Sequence, residues 1–197
     1  MESLTQTANA AIALLWAIWI VVWTAAAFFV KRTQRREPLG ATLLERVPVV
    51  VGFFMLLLPH WKPRRIPPAL LQRFMAEGPG LALVALALVL AGLLVAYWAR
   101  LHLGRNWSGE VMVKVGHTLI TSGPYRWVRH PIYAGMTLAL IGTALASGAL
   151  YGVIGFGLIL FGFLVRVRQE EALMRATFPG EYIEYSRHTA RLIPGVY

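Results

Sequence analysis

The chain has 197 residues, of which 57% are hydrophobic and only 14% charged, against roughly 25% charged in average soluble domains. Nineteen Lys and Arg face nine acids, all of them Glu, and neither Asp nor Cys occurs anywhere. Disulfides, thiolate metal sites, cysteine nucleophiles and every mechanism that needs an Asp are therefore excluded, and a basic chain this apolar points to a membrane with one positive flank, not to nucleic acid.

A hydrocarbon core about 30 Å thick needs about 20 apolar residues of helix. Ala8 to Val30 is such a run, closed by Lys31, Arg32, Arg35 and Arg36. It is too long, and Met1 to Asn9 too free of positive charge, for a cleaved signal peptide. Val47 to Leu58 is apolar but short; it reaches span length by starting near Leu39 and burying or snorkelling Glu45 and Arg46. Otherwise it is a re-entrant or interfacial segment. Pro63 to Pro68 and Gly78-Pro79-Gly80 break the next connection. Leu81 to Ala99 is a further span, ending in an interfacial Tyr97-Trp98 pair. Pro131 to Val165 is uncharged for 35 residues. At 1.5 Å per residue one helix would reach about 52 Å, so it folds back, with Ser147-Gly148 as the turn.

The expected fold is thus an all-α integral membrane protein with about five transmembrane helices, 8–30, 40–58, 81–99, 131–146 and 149–165. It forms a single membrane domain: three N-terminal spans over 8–99, then residues 100–197 as a catalytic core with loop, helical hairpin and C-terminal tail. Five positive residues fall in each of 31–46, 100–130 and 166–197, fifteen of the nineteen. The positive-inside rule places these segments in the cytoplasm and the N-terminus outside, in a multi-pass cell-membrane protein. Gly148 and Gly152, with Gly155 and Gly157 beyond, suit close helix packing rather than a nucleotide loop, since no strand precedes them.

Polar residues gather beside the last two spans. His117-Thr-Leu-Ile-Thr-Ser-Gly123-Pro-Tyr125 leads through Arg129-His130-Pro131-Ile132-Tyr133 into the fourth span, with Pro131 suited to a first helical turn. The free amides of that helix start, beside Arg129 and His130, suit an anion; an Arg-His pair that simply anchors a helix end is the alternative. Arg166 and Glu170 leave the fifth span four residues apart, on one face of any helix that continues, and Glu171 adjoins. A surface ion pair is the plain reading of that spacing. Because the hairpin returns on itself, Arg129, His130, Tyr133, Arg166 and Glu170 can converge into a zwitterion-sized pocket, with cations for a carboxylate and Glu for an ammonium. A metal site is not expected, as His117 and His130 are thirteen apart with no flanking carboxylate. The tail from Glu181 to Arg187 reads as an amphipathic helix over the pocket.

The stretch from Leu103-Gly-Arg-Asn-Trp-Ser108 through Gly135, then Arg166 to Tyr185 and Arg191-Leu-Ile-Pro194-Gly195, resembles the isoprenylcysteine carboxyl methyltransferase family. The wider group includes membrane phospholipid N-methyltransferases. The likeness covers about the C-terminal half; the first three spans carry no signature of it. It implies a multi-helix membrane enzyme that binds S-adenosylmethionine without a Rossmann domain. Carried over by position, the family's His-x-Leu-Ile stretch falls on His117, Thr118, Leu119 and Ile120, and the Tyr of its Gly-x-Tyr on Tyr125. Its His-Pro-x-Tyr contacts fall on His130, Pro131, Ile132 and Tyr133, beside Arg129. Glu170 is implied as a cofactor ligand and Arg166 as the group holding the acceptor carboxylate, the two forming the catalytic pair. Glu110 stands where eukaryotic members have Gln, seven residues before the His-x-Leu motif, a departure that bears on the mouth of the pocket and on substrate choice.

The implied reaction is in-line methyl transfer to an isoprenylcysteine-like or other lipid-tailed acceptor, with membrane lipids as neighbours and no nucleic acid. An amine acceptor would need a proton removed, for which Glu170 or Glu171 is placed. The rival classes are an NADPH-dependent membrane reductase of the sterol-reductase type and a non-catalytic scaffold. No glutamate lies in the uncharged parts of the spans, which speaks against an ion-coupled transporter. The acceptor's identity and the oligomeric state are open at this stage.

Overall fold

The computed structural model describes residues 2–28, 39–61, 67–104 and 119–195. Their regular structure is helical: α1 (Glu2–Phe28), α2 (Leu39–Trp61), the single turn α3 (Pro68–Leu71), α4 (Pro79–Leu103), a 3₁₀ turn (Gly123–Arg126), α5 (Pro131–Ser147), α6 (Leu150–Thr177) and α7 (Glu181–His188). The β contacts among the described residues are two isolated bridges, Arg73 with Ala149 and Val128 with Ala190.

Proline and glycine punctuate the helices as local chemistry requires. Pro79 and Pro131 open α4 and α5, where a missing N–H costs nothing. Gly148 closes α5 in the left-handed region at φ +54°, and its N–H reaches the carbonyl of Ala144 at 3.1 Å. The expected turn is therefore the observed one.

Among the described residues, three helices are long and apolar enough to cross a membrane: Glu2–Ala26, Pro79–Leu103 and Leu150–Thr177. α5 is apolar but has only 17 residues, and α2 runs for 23 with Glu45, Arg46 and Pro48 inside it. Large apolar side chains face outward along these helices, including Leu14, Val21, Phe54, Leu94 and Phe161, as lipid-facing surfaces require.

The difference that matters most for the site lies at the end of α6. The uncharged run stops at Val165, yet the helix continues to Thr177. At 1.5 Å per residue α6 is about 42 Å long, well beyond a hydrocarbon core. Its last turns carry Arg166, Glu170 and Glu171 on a rigid extension of the span.

The hairpin partners do not pack mainly on each other. α5 lies along α4, and α6 along α2, while α1 covers α4. The core is built from small and medium side chains: Ala85, Val89, Leu93 and Ala96 of α4, Met136 and Ala139 of α5, and Ile12 of α1. A Cβ at Gly92 would collide with the Gly135 carbonyl, and one at Gly52 with that of Gly155, so backbones touch at both seams. Gly148 forms the turn, and a Cβ on Gly152 would meet Ser147 and Ala144 of α5, so Gly152 serves the expected close packing within the hairpin.

Successive long helices run in alternating directions. Glu45, near the start of α2, meets Arg166 near the end of α6, and Tyr125 donates to Ala99 near the end of α4. At the opposite end Phe74 N–H bonds Gly148 O at 2.9 Å. All the titratable residues discussed below collect at the first of these two ends.

Candidate active site

The site begins with the geometry of α6. Arg166 and Glu170 are one turn apart, and the Arg166 Nε donates to Glu170 Oε1 at 2.8 Å. Tyr133, in the first turn of α5, donates its hydroxyl to the same oxygen at 2.8 Å. His130, just before α5, brings Nδ1 to 3.5 Å from Glu170 Oε2. The plain expectation of a surface ion pair gives way here, because the Arg166 side chain is only 6% exposed. Its Nη1 also donates to Oε1 and Oε2 of Glu45, both at 3.2 Å.

One residue further along α6, Glu171 organises a second cluster. Its side chain is 1% exposed and accepts from Arg129 Nε at 2.9 Å, Arg175 Nη2 at 2.9 Å, and Arg191 Nε and Nη2 at 3.1 and 2.9 Å. Arg129 also donates to the carbonyls of Ser186 and Thr189, which ties the segment before α5 to the end of α7. Backbone bonds reinforce this strap: Arg129 N–H to Ala190 O at 2.8 Å, and His130 N–H to Arg191 O at 3.1 Å. Tyr185 donates to Tyr125 O at 2.6 Å, so α7 closes over the 3₁₀ turn as well. Two adjacent carboxylates are tolerated because each has its own cations.

His130 joins the clusters. It is 8% exposed, and its Nε2 lies 3.6 Å from Glu171 Oε1, within ion-pair range but too far for a hydrogen bond. That buried nitrogen has no hydrogen-bond partner among the described residues. Burial disfavours the imidazolium, but Glu170 and then Glu171 outweigh it, and the His130 pKa is raised above its ordinary value.

The structure therefore brings together Arg129, His130, Tyr133, Arg166 and Glu170, with Pro131 and Ile132 in the same helical turn. Tyr125 is buried nearby, with its hydroxyl 3.4 Å from Ala99 O. Arg129 faces Glu171 and the C-terminal strap rather than Glu170. Leu119 and Ile120 lead into the 3₁₀ turn, while His117, Thr118 and Glu110 lie outside the described residues.

Sequence reasoning placed Glu171 beside Glu170 but did not assign Glu45 and Arg191 to this assembly. Glu45 carried a usable signal: an acid inside an otherwise apolar helix needs a cation, and Arg166 is the cation at the matching depth. Arg191 carried no such signal, because nothing local ties residue 191 to residue 171.

Residues 84–176, which hold α5, the 3₁₀ turn and nearly all of α6, match the model of the family described as "Isoprenylcysteine carboxyl methyltransferase (ICMT) family". A probable protein-S-isoprenylcysteine O-methyltransferase of Oryza sativa subsp. indica is 28% identical over 163 residues, covering 81% of this chain and 83% of that protein. The protein-S-isoprenylcysteine O-methyltransferase of Xenopus laevis is 32% identical over 117 residues, 58% of this chain and 41% of that one. The Saccharomyces cerevisiae protein of the same name is 35% identical over 94 residues, 46% and 39% of the two chains. These likenesses favour methyl transfer and lend no support to the reductase alternative. Residues 84–176, with the charged end of the helical hairpin inside them, thus resemble the isoprenylcysteine carboxyl methyltransferase family, and the relatives named here are methyltransferases.

Proposed function

We propose that the chain is an S-adenosylmethionine-dependent methyltransferase that esterifies the carboxylate of an isoprenylcysteine-like, lipid-tailed acceptor at the cytoplasmic face of the cell membrane. The observation that carries this reading is the buried Arg166, which shares Glu170 with Tyr133 and His130 where α6 leaves its apolar stretch. Five crossings, with α2 and α5 added to the three long apolar helices, agree with the alternating helix directions. They also put fifteen of nineteen positive charges on the site's side.

The residues present suit the methyl donor. Its amino-acid end carries an ammonium and a carboxylate; Glu170 is an acceptor for the first, and the buried His130 Nε2, with no hydrogen-bond partner among the described residues, is a donor for the second. Tyr133 holds Glu170 in position, and by resemblance His117 to Ile120 and Tyr125 complete the cofactor side. When bound, S-adenosylmethionine supplies a sulfonium methyl group for in-line transfer. Arg166 pairs the acceptor carboxylate and aims one of its oxygens, and the apolar walls of α4, α5 and α6 keep water out. A carboxylate acceptor is already ionised at neutral pH, so no side chain has to take a proton.

Calorimetric binding of S-adenosylhomocysteine to the detergent-purified chain tests the cofactor half. Saturable binding is expected, weakened by about tenfold or more in Glu170→Ala and Tyr133→Ala, as loss of a charge-assisted contact implies. A folded, monodisperse chain that binds none would overturn the reading. For the acceptor half, labelled methyl transfer to a prenylcysteine analogue should show Arg166→Ala raising the acceptor KM far more than the S-adenosylhomocysteine Kd. Equal effects on both would sink this division of roles.

A further inference from the structure

Arg166 is paired with two carboxylates, one from its own helix and one from α2. Its Nε is held by Glu170 of its own helix, and its Nη1 by both oxygens of Glu45 from α2, 121 residues away in sequence. Glu45 is only 13% exposed, at a position in an apolar helix where an acid is expensive. Both acids lie directly on the guanidinium, so a third carboxylate reaches it only where one of the two gives way.

Resting on the reading above, in which Arg166 receives the acceptor carboxylate, we propose that Glu45 is a built-in stand-in for that carboxylate, displaced when the acceptor binds and returned when the ester forms. Glu170 is unsuited to the exchange, because Tyr133 also holds its Oε1 and it shares a helix with Arg166. Glu45 reaches across from another element. Its backbone is pinned, since a Cβ on Gly162 of α6 would come within 2.6 Å of the Glu45 carbonyl oxygen. The exchange is therefore a side-chain rotation with no shift of α2.

The swap gives the site two properties. While Glu170 stays on its Nε, the Nη1 side of Arg166 also keeps an acceptor through the cycle, so no buried N–H is left unsatisfied. Esterification removes the acceptor's charge, and Glu45 then outcompetes the neutral product for the guanidinium. Glu45 thereby selects for a carboxylate acceptor and drives release of the methyl ester.

The test is steady-state methyl transfer to a prenylcysteine analogue by wild type and Glu45→Gln, whose amide oxygen still accepts from Arg166 but carries no charge. The acceptor KM should fall by about tenfold, and the corresponding methyl ester should become a stronger product inhibitor by a similar factor, as removal of a desolvated charge competitor implies. The S-adenosylhomocysteine Kd should not change. An unchanged or raised KM overturns the proposal, because a residue that only props Arg166 would behave that way. Should Glu45→Gln fail to fold, Glu45→Asp decides by the same readout, its shorter carboxylate giving an intermediate fall in KM. A wild type that binds S-adenosylhomocysteine but methylates no carboxylate refutes the acceptor reading, and this inference with it. A wild type that methylates the analogue with no KM change in the variants refutes this inference alone.

Discussion

Glu170 and Glu171 are chain neighbours, and about 100° of helical rotation sends them into different surroundings. Glu171 turns toward the loop before α5 and the C-terminal strap, where three arginines and His130 enclose it at 1% exposure. Glu170 turns toward Tyr133, Arg166 and the end of the apolar stretch, and keeps 26% of its side chain exposed. The first is sealed by protein groups and joins three segments; the second is open enough to meet a ligand. One dipeptide thus supplies both the strap that closes the site and a carboxylate that can bind within it.

The largest effect expected from breaking this contrast is on the sealed side. Glu171→Ala leaves Arg129 and Arg191 facing each other without their anion, at a cost of about 3–5 kcal/mol. Denaturant unfolding in detergent should show that loss, whereas Glu170→Ala should unfold close to wild type; equal destabilisation would erase the distinction between the two acids.

His130 sharpens the comparison, since it faces both carboxylates. Its folded pKa is raised, so the stabilisation from its charge is complete below the ordinary imidazole pKa and is lost as pH rises through the folded value. Melting temperatures measured from pH 6 to 9 should fall more steeply for wild type than for His130→Gln. Parallel profiles would remove His130 from the network.

The smallest effect belongs to a carboxylate with no such enclosure. Glu184 of α7 pairs with Arg187 at 3.2 Å and His188 at 2.9 Å, but all three are largely exposed. Glu184→Gln should leave the melting temperature unchanged within error, as solvent and salt screen such pairs. A clear loss would mean that burial is not what separates Glu171 from Glu184.

Much of this molecule is legible in one dimension. Uncharged runs locate the long helices, because the cost of charge in hydrocarbon is written directly into composition, although α1 starts six residues before Ala8 and α6 ends twelve after Val165. The turn at Ser147-Gly148 follows from length and from the freedom of glycine. The convergence of His130, Tyr133, Arg166 and Glu170 follows from folding a 35-residue apolar run back on itself. Helix ends are less legible: the spacing of Arg166 and Glu170 allows the last span to continue as helix but does not say how far, and it runs on to Thr177, where Glu170 and Glu171 meet their partners.

By itself, then, the sequence determined the membrane class, the helical hairpin and the pairing of residues whose spacing matches a helical turn. Each of these depends on neighbours along the chain or on the summed cost of burying charge. Only the tertiary structure decided that α5 lies on α4 and α6 on α2, that Glu45 caps Arg166, and that Arg191 returns to Glu171. Those contacts join residues between 20 and 121 positions apart. Their partners are chosen by how helix backbones fit together, and no local periodicity records that choice.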